Sequence, residues 1–252
     1  MFFVNQQCGM VNNEPFQLQL CGMLAGLLPS GIATAHSLEQ NDIKHPLSSS
    51  TSHSSTVSLQ RRERFNAGRL CARRAVAELK MADAAEAPIG VNPDGSANWH
   101  QCLTGSITHT RGLSAAAVGP RCKFRAIGID AERVDNMSSD LWSHLFLPAE
   151  IEWLRRLPAP ARMAAATLLF SAKEAFYKCQ NTVTGQWLEF KDVFVEVLDW
   201  PIERGGFAVR PTGWSNHLNR AHSPAMGQFA FTRIPASGDS GPLVLTAMAW
   251  PC

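Results

Sequence analysis

Strand-like and helix-like segments succeed one another along this chain without a regular βαβ alternation, and that order restricts its fold more than any other feature. Strand character falls at Leu103–His109, Leu113–Val118, Ala126–Glu132, Leu188–Val197, Gly206–Val209, Gln228–Ile234 and Leu243–Trp250. Helices are predicted over Leu59–Lys80, Pro148–Leu157 and Ala161–Cys179, the second opening on Pro148 with Glu150 and Glu152 near its N-terminus. The pattern predicts an α+β fold rather than a doubly wound parallel sheet. Upstream, Leu24, Leu27, Leu28 and Ile32 mark one short strand or helix, and Ser48–Ser58, nine Ser/Thr in eleven residues, reads as an exposed loop.

With 252 residues the chain forms one large domain or two small ones, and either buries a real core. The longest apolar candidate, Phe16–Leu28, is interrupted by two Gln and falls short of the roughly 18 residues a spanning helix needs. No basic residue precedes that run and no small-residue cleavage pattern follows it, so no secretory signal is expected. Seven Cys without a CxxC fit neither a disulfide framework nor a zinc site. A reducing, cytoplasmic location is the expectation.

Net charge is only +2, but residues 61–74 hold six Arg against one Glu. Such a run suggests nucleic-acid binding or simply a solvated helix face. Phe65, Gly68, Ala72, Ala75, Val76 and Leu79 lie on one face of a 3.6-residue period, and Arg69 sits at the edge of that face. A guanidinium placed there must be paired or must point at an anion, because burying it bare is costly.

In IGIDAE, residues 127–132, alternation puts Asp130 and Glu132 on one face, about 7 Å apart at Cα, with Ile127 and Ile129 on the other. Gly128, on the carboxylate side, leaves space for something bulky. Two carboxylates this close repel unless a cation or a proton lies between them, and hard oxygen ligands suit Mg²⁺. The plain alternative is two exposed acids on an edge strand, each meeting a local Arg such as Arg125 or Arg133.

In FSAKEAFYK, residues 170–178, helical spacing makes a core stripe of Ala165, Leu169, Ala172 and Phe176. A second stripe carries Phe170, Glu174 and Lys178, flanked by Lys173 and Tyr177. Its plain reading is a surface Glu-to-Lys pair worth a few tenths of a kcal/mol. His109 ends the GSITH strand, where a lone His is ordinarily structural. Together, paired carboxylates, a third carboxylate beside Lys, an Arg helix and a His form the inventory that polyphosphate chemistry uses.

RRERFNAGRLCAR, then GSITH, then GIDAE, then FSAKEAFYK, in this order and spacing, resemble the larger, broad-specificity class of 4′-phosphopantetheinyl transferases, the enterobactin-synthase and surfactin-synthase kind. The resemblance runs from about Leu59 to Val197, and weakly through LLPSGIA upstream. It implies two similar, pseudo-symmetric α+β halves, residues 1–122 and 123–252, with the active site in the cleft between them. It implies transfer of phosphopantetheine from coenzyme A, as substrate, to a Ser of an acyl- or peptidyl-carrier protein, dependent on Mg²⁺ with Mn²⁺ as a substitute. The carriers would be domains of fatty acid, polyketide or nonribosomal peptide synthases, in secondary metabolism such as enterobactin biosynthesis. A monomer is expected, with no nucleic-acid partner and no membrane span.

By the same resemblance Asp130, Glu132 and Glu174 are metal ligands, and Asp130, Glu174 and Lys178 carry the catalysis. Glu174 takes the proton of the incoming Ser, directly or through water. Lys173 and Lys178 would hold pyrophosphate oxygens, while Arg61, Arg69, Thr108 and His109 would hold the adenosine 3′-phosphate and its neighbours. One departure stands out: family members often carry a basic residue shortly before a Pro-containing turn, where this chain reads Gly90–Val91–Asn92 and then Gly95–Trp99.

Two other readings use the same residues: a Mg²⁺-dependent phosphodiesterase or nuclease, and a non-catalytic nucleotide binder built on the Arg helix. Three acids near the phosphates count against the second, since without metal they would repel the ligand. For the carrier, candidate docking residues are Trp187 and Leu188 within Asn181–Phe190, and Trp142, Leu145 and Phe146 within Leu141–Leu147. Packing of these residues into the C-terminal half is the alternative.

Overall fold

The computed structural model describes residues 20, 22–38, 53–81, 84, 88–135, 137–212, 224–233 and 241–252, with backbone alone for 53–61. Strand β1 (Ala33–Leu38) precedes helix α1 (His53–Glu78), a short hairpin of β2 (Gly90–Val91) and β3 (Ala97–Asn98), and strands β4 (Leu103–Thr110), β5 (Leu113–Pro120) and β6 (Phe124–Arg133). Helices α2 (Trp142–Leu145), α3 (Pro148–Arg156) and α4 (Ala159–Thr184) follow. Strands β7 (Val193–Val197), β8 (Arg204–Pro211), β9 (Ala225–Arg233) and β10 (Pro242–Pro251) close the chain.

Two antiparallel sheets result, one ordered β1-β5-β4 and the other β6-β10-β9-β8-β7. Each carries one long helix, α1 against β1 and β5, and α4 against β6 and β10. The fold is therefore α+β, built as two like layers. Apolar spacing explains both contacts. Ala165, Leu169, Ala172 and Phe176 of α4 are buried against Val193, Val195, Phe207, Phe229, Val244 and Met248, as the stripe predicts. On the opposite face of β6, Ile127 and Ile129 pack with Leu243 and Leu245, with Leu113 of β5, and with Leu20, Leu24 and Leu27 near the helical turn at residues 22–26.

Close approach at two glycines sets where the helices rest. A Cβ on Gly68 of α1 would lie 2.8 Å from Ile107 Cγ2 of β4. One on Gly128 of β6 would overlap the Ala175 carbonyl and lie 2.9 Å from Cys179 Cβ. The bulky group that Gly128 admits is thus the backbone of α4.

The two sheets meet at β4 and β6, which lie side by side without sharing a ladder. Hydroxyls take the place of carbonyls there: Ser106 Oγ accepts the Ile129 N–H at 3.1 Å, and Thr108 Oγ1 accepts the Ala131 N–H at 3.2 Å.

Several expectations need correction. Helix α1 begins at His53, inside the segment read as a loop, because Ser and Thr are weak helix formers but not breakers and can extend a helix whose later turns are packed. Residues 48–52 lie outside the described residues. Phe65 is exposed rather than on the buried face of α1. The strand expected from Leu188 starts only at Val193, since Phe190–Asp192 form a 3₁₀ turn whose Asp192 carboxylate accepts the Glu189 N–H at 2.8 Å. Strand β1 goes beyond the single short element expected near Ile32.

Candidate functional site

Asp130 lies at the seam between the two sheets and is almost fully buried. Its Oδ1 accepts hydrogen bonds from Thr108 Oγ1 at 3.1 Å and from Lys178 Nζ at 2.7 Å, and its Oδ2 accepts one from Ser171 Oγ at 2.8 Å. Three elements, β4, β6 and α4, thus converge on one carboxylate. Lys178 also donates to the Ile129 carbonyl at 3.2 Å, which holds its ammonium against the middle of β6.

Glu132 and Glu174 are half-buried beside this pair. Burial and the Asp130 carboxylate push the Glu132 carboxyl up to about 8, with Lys178 opposing the shift and Glu174 and Asp135 adding to it. Burial likewise raises Glu174, again with Lys178 opposing and Asp130 reinforcing. Asp130 thus acts on both Glu132 and Glu174; strand spacing predicts the first of these pairs, whereas Glu174 entered the set only through the family resemblance. Neither Arg125 nor Arg133 serves as their counter-ion: Arg125 is exposed, and Arg133 donates to the Arg111 and Gly241 carbonyls. As the side chains stand, no group of three or more His, Cys, Asp or Glu among the described residues is arranged to hold a metal ion, and Lys178 supplies the positive charge at Asp130. The donor set nevertheless suits a hard divalent cation, being all carboxylate oxygen and mutually repelling without one.

Lys173 is not in this cluster, contrary to expectation. Its ammonium points the other way, into the core, where it meets Glu150 Oε2 at 2.7 Å and the carbonyls of Leu145, Phe190 and Val193 at 3.2, 2.8 and 3.1 Å. All its donors are engaged, so no phosphate contact is available to it. Glu150 is equally saturated, accepting the N–H groups of Leu147 and Val195 at 2.8 Å each. Helical spacing put Lys173 on the flank of the polar stripe, and only the position of α3 and β7 decides which way that flank faces.

Thr108, expected at a phosphate, instead donates its single hydroxyl proton to Asp130. His109 is exposed one residue on, and alternation places it with Ile107 on the opposite side of β4, the side that α1 covers. Arg69 lies next to the Gly68 contact with Ile107, is 7% exposed, and carries its guanidinium 4.9 Å from the Phe65 ring centroid. Its Nη1 is buried without a hydrogen-bond partner, and burial lowers its pKa. A buried, incompletely satisfied guanidinium is a ready anion contact. Arg61 falls within α1, but its side chain lies outside the described residues.

Sequence reasoning missed Ser171, Thr246 and Glu150. The signal for Thr246 was present, a lone hydroxyl in the apolar strand PLVLTAMAW, whereas Glu150 read as an ordinary helix-start acid. A groove of about 200 Å³ opens beside Glu174, lined by Phe176, Tyr177, Trp187, Leu188 and Phe190. Trp187 is 74% exposed and meets Tyr177 edge-on at 5.2 Å, so it remains available to a partner. Trp142 and Phe146 are buried in the α4 core with Leu145 packed against it, and they are not a docking surface. Across the site, Asp94 in the β2–β3 turn accepts from Asn181 Nδ2 of α4 at 3.4 Å.

Comparison with known proteins gives a consistent result. The profile of the 4′-phosphopantetheinyl transferase superfamily matches residues 126–233, and that of the 4′-phosphopantetheinyl transferase N-terminal domain matches residues 48–119. The 4′-phosphopantetheinyl transferase Npt of Nocardia iowensis is 36% identical over 188 residues, 73% of this chain and 81% of that protein. PptT of Mycobacterium tuberculosis is 35% identical over 163 residues, 63% and 64% of the two chains, and Svp of Streptomyces mobaraensis 30% over 179 residues, 69% and 72%. Both bear the same enzyme name.

Proposed function

Because this chain belongs to the 4′-phosphopantetheinyl transferase superfamily, we propose that it moves the 4′-phosphopantetheine group from coenzyme A to a serine of an apo carrier protein, releasing adenosine 3′,5′-bisphosphate. The observation that carries this reading is the convergence of Thr108, Ser171 and Lys178 on Asp130, with Glu132 and Glu174 charge-coupled to it. Asp130, Glu132 and Glu174 would hold Mg²⁺, or Mn²⁺ in its place, and that ion supplies charge neutralisation at the pyrophosphate.

The chain's own residues do the rest. Glu174 accepts the proton of the serine hydroxyl as its oxygen bonds to the β-phosphorus, and the bond to the bridging oxygen breaks. Burial raises the affinity of the Glu174 carboxylate for protons, the direction that strengthens it as a general base. Lys178 stands where it can turn from Asp130 to the leaving phosphate. Arg69 and His109, on the α1 side of β4, bind the 3′-phosphate. We divide the chain into halves at residues 1–122 and 123–252, a reading supported by the placing of β1–β5 in the first sheet and the β2–β3 hairpin and of β6–β10 in the other sheet.

We assign the enzyme to the broad-specificity class that serves acyl- and peptidyl-carrier domains of fatty acid, polyketide or nonribosomal peptide synthases, with exposed Trp187 among the residues that meet the carrier. A reducing, cytoplasmic compartment fits Cys71, Cys102, Cys122, Cys179 and Cys252, which are free thiols among the described residues. No helix among the described residues is long and apolar enough to cross a membrane. The test is to incubate the protein with coenzyme A and an apo carrier protein, with Mg²⁺ or with EDTA, and weigh the carrier. Gain of one phosphopantetheine with Mg²⁺ alone is expected. Hydrolysis of coenzyme A with an unchanged carrier would favour a phosphodiesterase instead.

A further inference from the structure

On β10, Val244, Thr246 and Met248 share the face turned toward α4, and the flanking Val and Met belong to its apolar core. Thr246 is fully buried between them. A hydroxyl in such a place costs free energy unless it is bonded, so its partners indicate what it does. It lies directly across the strand pair from Asp130, and its Oγ1 is 2.8 Å from Ser171 Oγ and 2.9 Å from the Ser171 carbonyl.

Ser171 behaves unlike Thr167 and Thr182 of the same helix. Thr167 and Thr182 donate to the carbonyls four residues back, Met163 and Lys178, the ordinary habit of a hydroxyl within a helix. Ser171 turns instead to Asp130 Oδ2. Proton counting then fixes the direction of the chain: Ser171 has one proton and gives it to the carboxylate, so the Thr246 proton is shared between the oxygens of Ser171. Thr246 thereby holds Ser171 in its donating rotamer, and Ser171 holds the plane of the Asp130 carboxylate. The other oxygen is left facing Thr108 and Lys178.

We propose that Ser171 and Thr246 are positioning residues that preset the Asp130 carboxylate for a divalent cation, an inference that rests on the functional reading above. Neither touches substrate. Outer partners of this kind typically change metal affinity by 10- to 100-fold when removed.

The experiment uses the full chain and Mn²⁺ alone, with free Mn²⁺ followed by electron paramagnetic resonance. Ser171→Ala and Thr246→Val should each weaken Mn²⁺ binding about tenfold, while Thr246→Ser, which keeps the hydroxyl, should stay within about twofold of the parent. The same order should appear in the Mg²⁺ concentration needed for half-maximal transfer, with the KM for coenzyme A at saturating Mg²⁺ unmoved. Ser171→Ala is a helix-favouring change and decides the matter even if Thr246→Val does not fold. Parent-like Mn²⁺ binding by folded Ser171→Ala overturns the positioning role and leaves the transferase reading standing. Failure of the parent chain to bind Mn²⁺ overturns the metal site and this role with it.

Discussion

Gly128 of β6 lies so close under Ala175 of α4 that a methyl group on it would overlap the Ala175 carbonyl oxygen. This contact sets the height of α4 above the strand. It brings Ser171 and Lys178 within hydrogen-bond reach of Asp130, two residues along from Gly128. Gly128→Ala must lift the helix or shift the strand, and overpacking against backbone exceeds the 1–3 kcal/mol typical of side-chain overpacking. We expect a loss of at least about 3 kcal/mol in denaturant unfolding. A loss below about 1 kcal/mol would show that the contact is slack.

Lys173 and Glu150 form a buried ion pair in which each group is saturated with hydrogen bonds. Removing one partner strands the other charge, so Lys173→Met should cost about 3–5 kcal/mol of stability. Urea unfolding measures this directly. Normal stability with a raised KM for coenzyme A would instead return Lys173 to the phosphate-binding role expected of it from the sequence.

The raised proton affinity of Glu132 links stability to pH. A carboxyl with a folded pKa near 8 binds its proton more tightly in the folded chain than in the unfolded one. Its stabilising contribution is complete below the ordinary carboxylate value of about 4.3 and is lost as pH rises through about 8. Glu174, shifted the same way, adds to the effect. The melting temperature of the metal-free protein should therefore fall between pH 5 and pH 9, and Glu132→Gln should flatten that fall. Mg²⁺ at pH 8 should restore the lost stability. A melting temperature independent of pH in the metal-free parent would contradict the shift.

Arg69 offers a buried guanidinium nitrogen with no protein partner, so Arg69→Ala should remove an anion contact with little loss of hydrogen bonding inside the protein. Charge-assisted contacts are worth roughly 1.5–3 kcal/mol. Arg69→Ala and His109→Ala should each weaken coenzyme A by that amount and dephospho-coenzyme A much less, as read by calorimetry. Equal weakening of both would place these residues away from the 3′-phosphate.

How much of this was legible beforehand follows from which contacts are local. Alternation along residues 127–132 placed Asp130 and Glu132 opposite Ile127 and Ile129, because strand geometry alone decides that. The core stripe of α4 was equally legible from its spacing. Lys173 was misread because its partner, Glu150, is 23 residues away on another helix, and nothing in a helical period shows which flank will be buried. For Trp142 and Phe146 docking and core packing both stayed open, because apolar bulk shows its place only once α4 supplies a surface. Thr246 stood out as a lone hydroxyl in an apolar strand, but its partner was out of reach, because it depends on the pairing of β10 with β6, 116 positions from Asp130 in sequence.

Asp130→Asn tests the central claim most directly, since it removes the carboxylate charge while keeping a side chain of the same shape. Thermal unfolding would first establish that the variant is folded at the assay temperature. Mass measurement of the apo carrier after incubation with the variant, coenzyme A and Mg²⁺ should then show no added phosphopantetheine under conditions where the parent chain modifies it fully. Carrier modified by the folded variant at a rate near the parent's, at limiting Mg²⁺, would contradict the assignment of Asp130 and the site built around it.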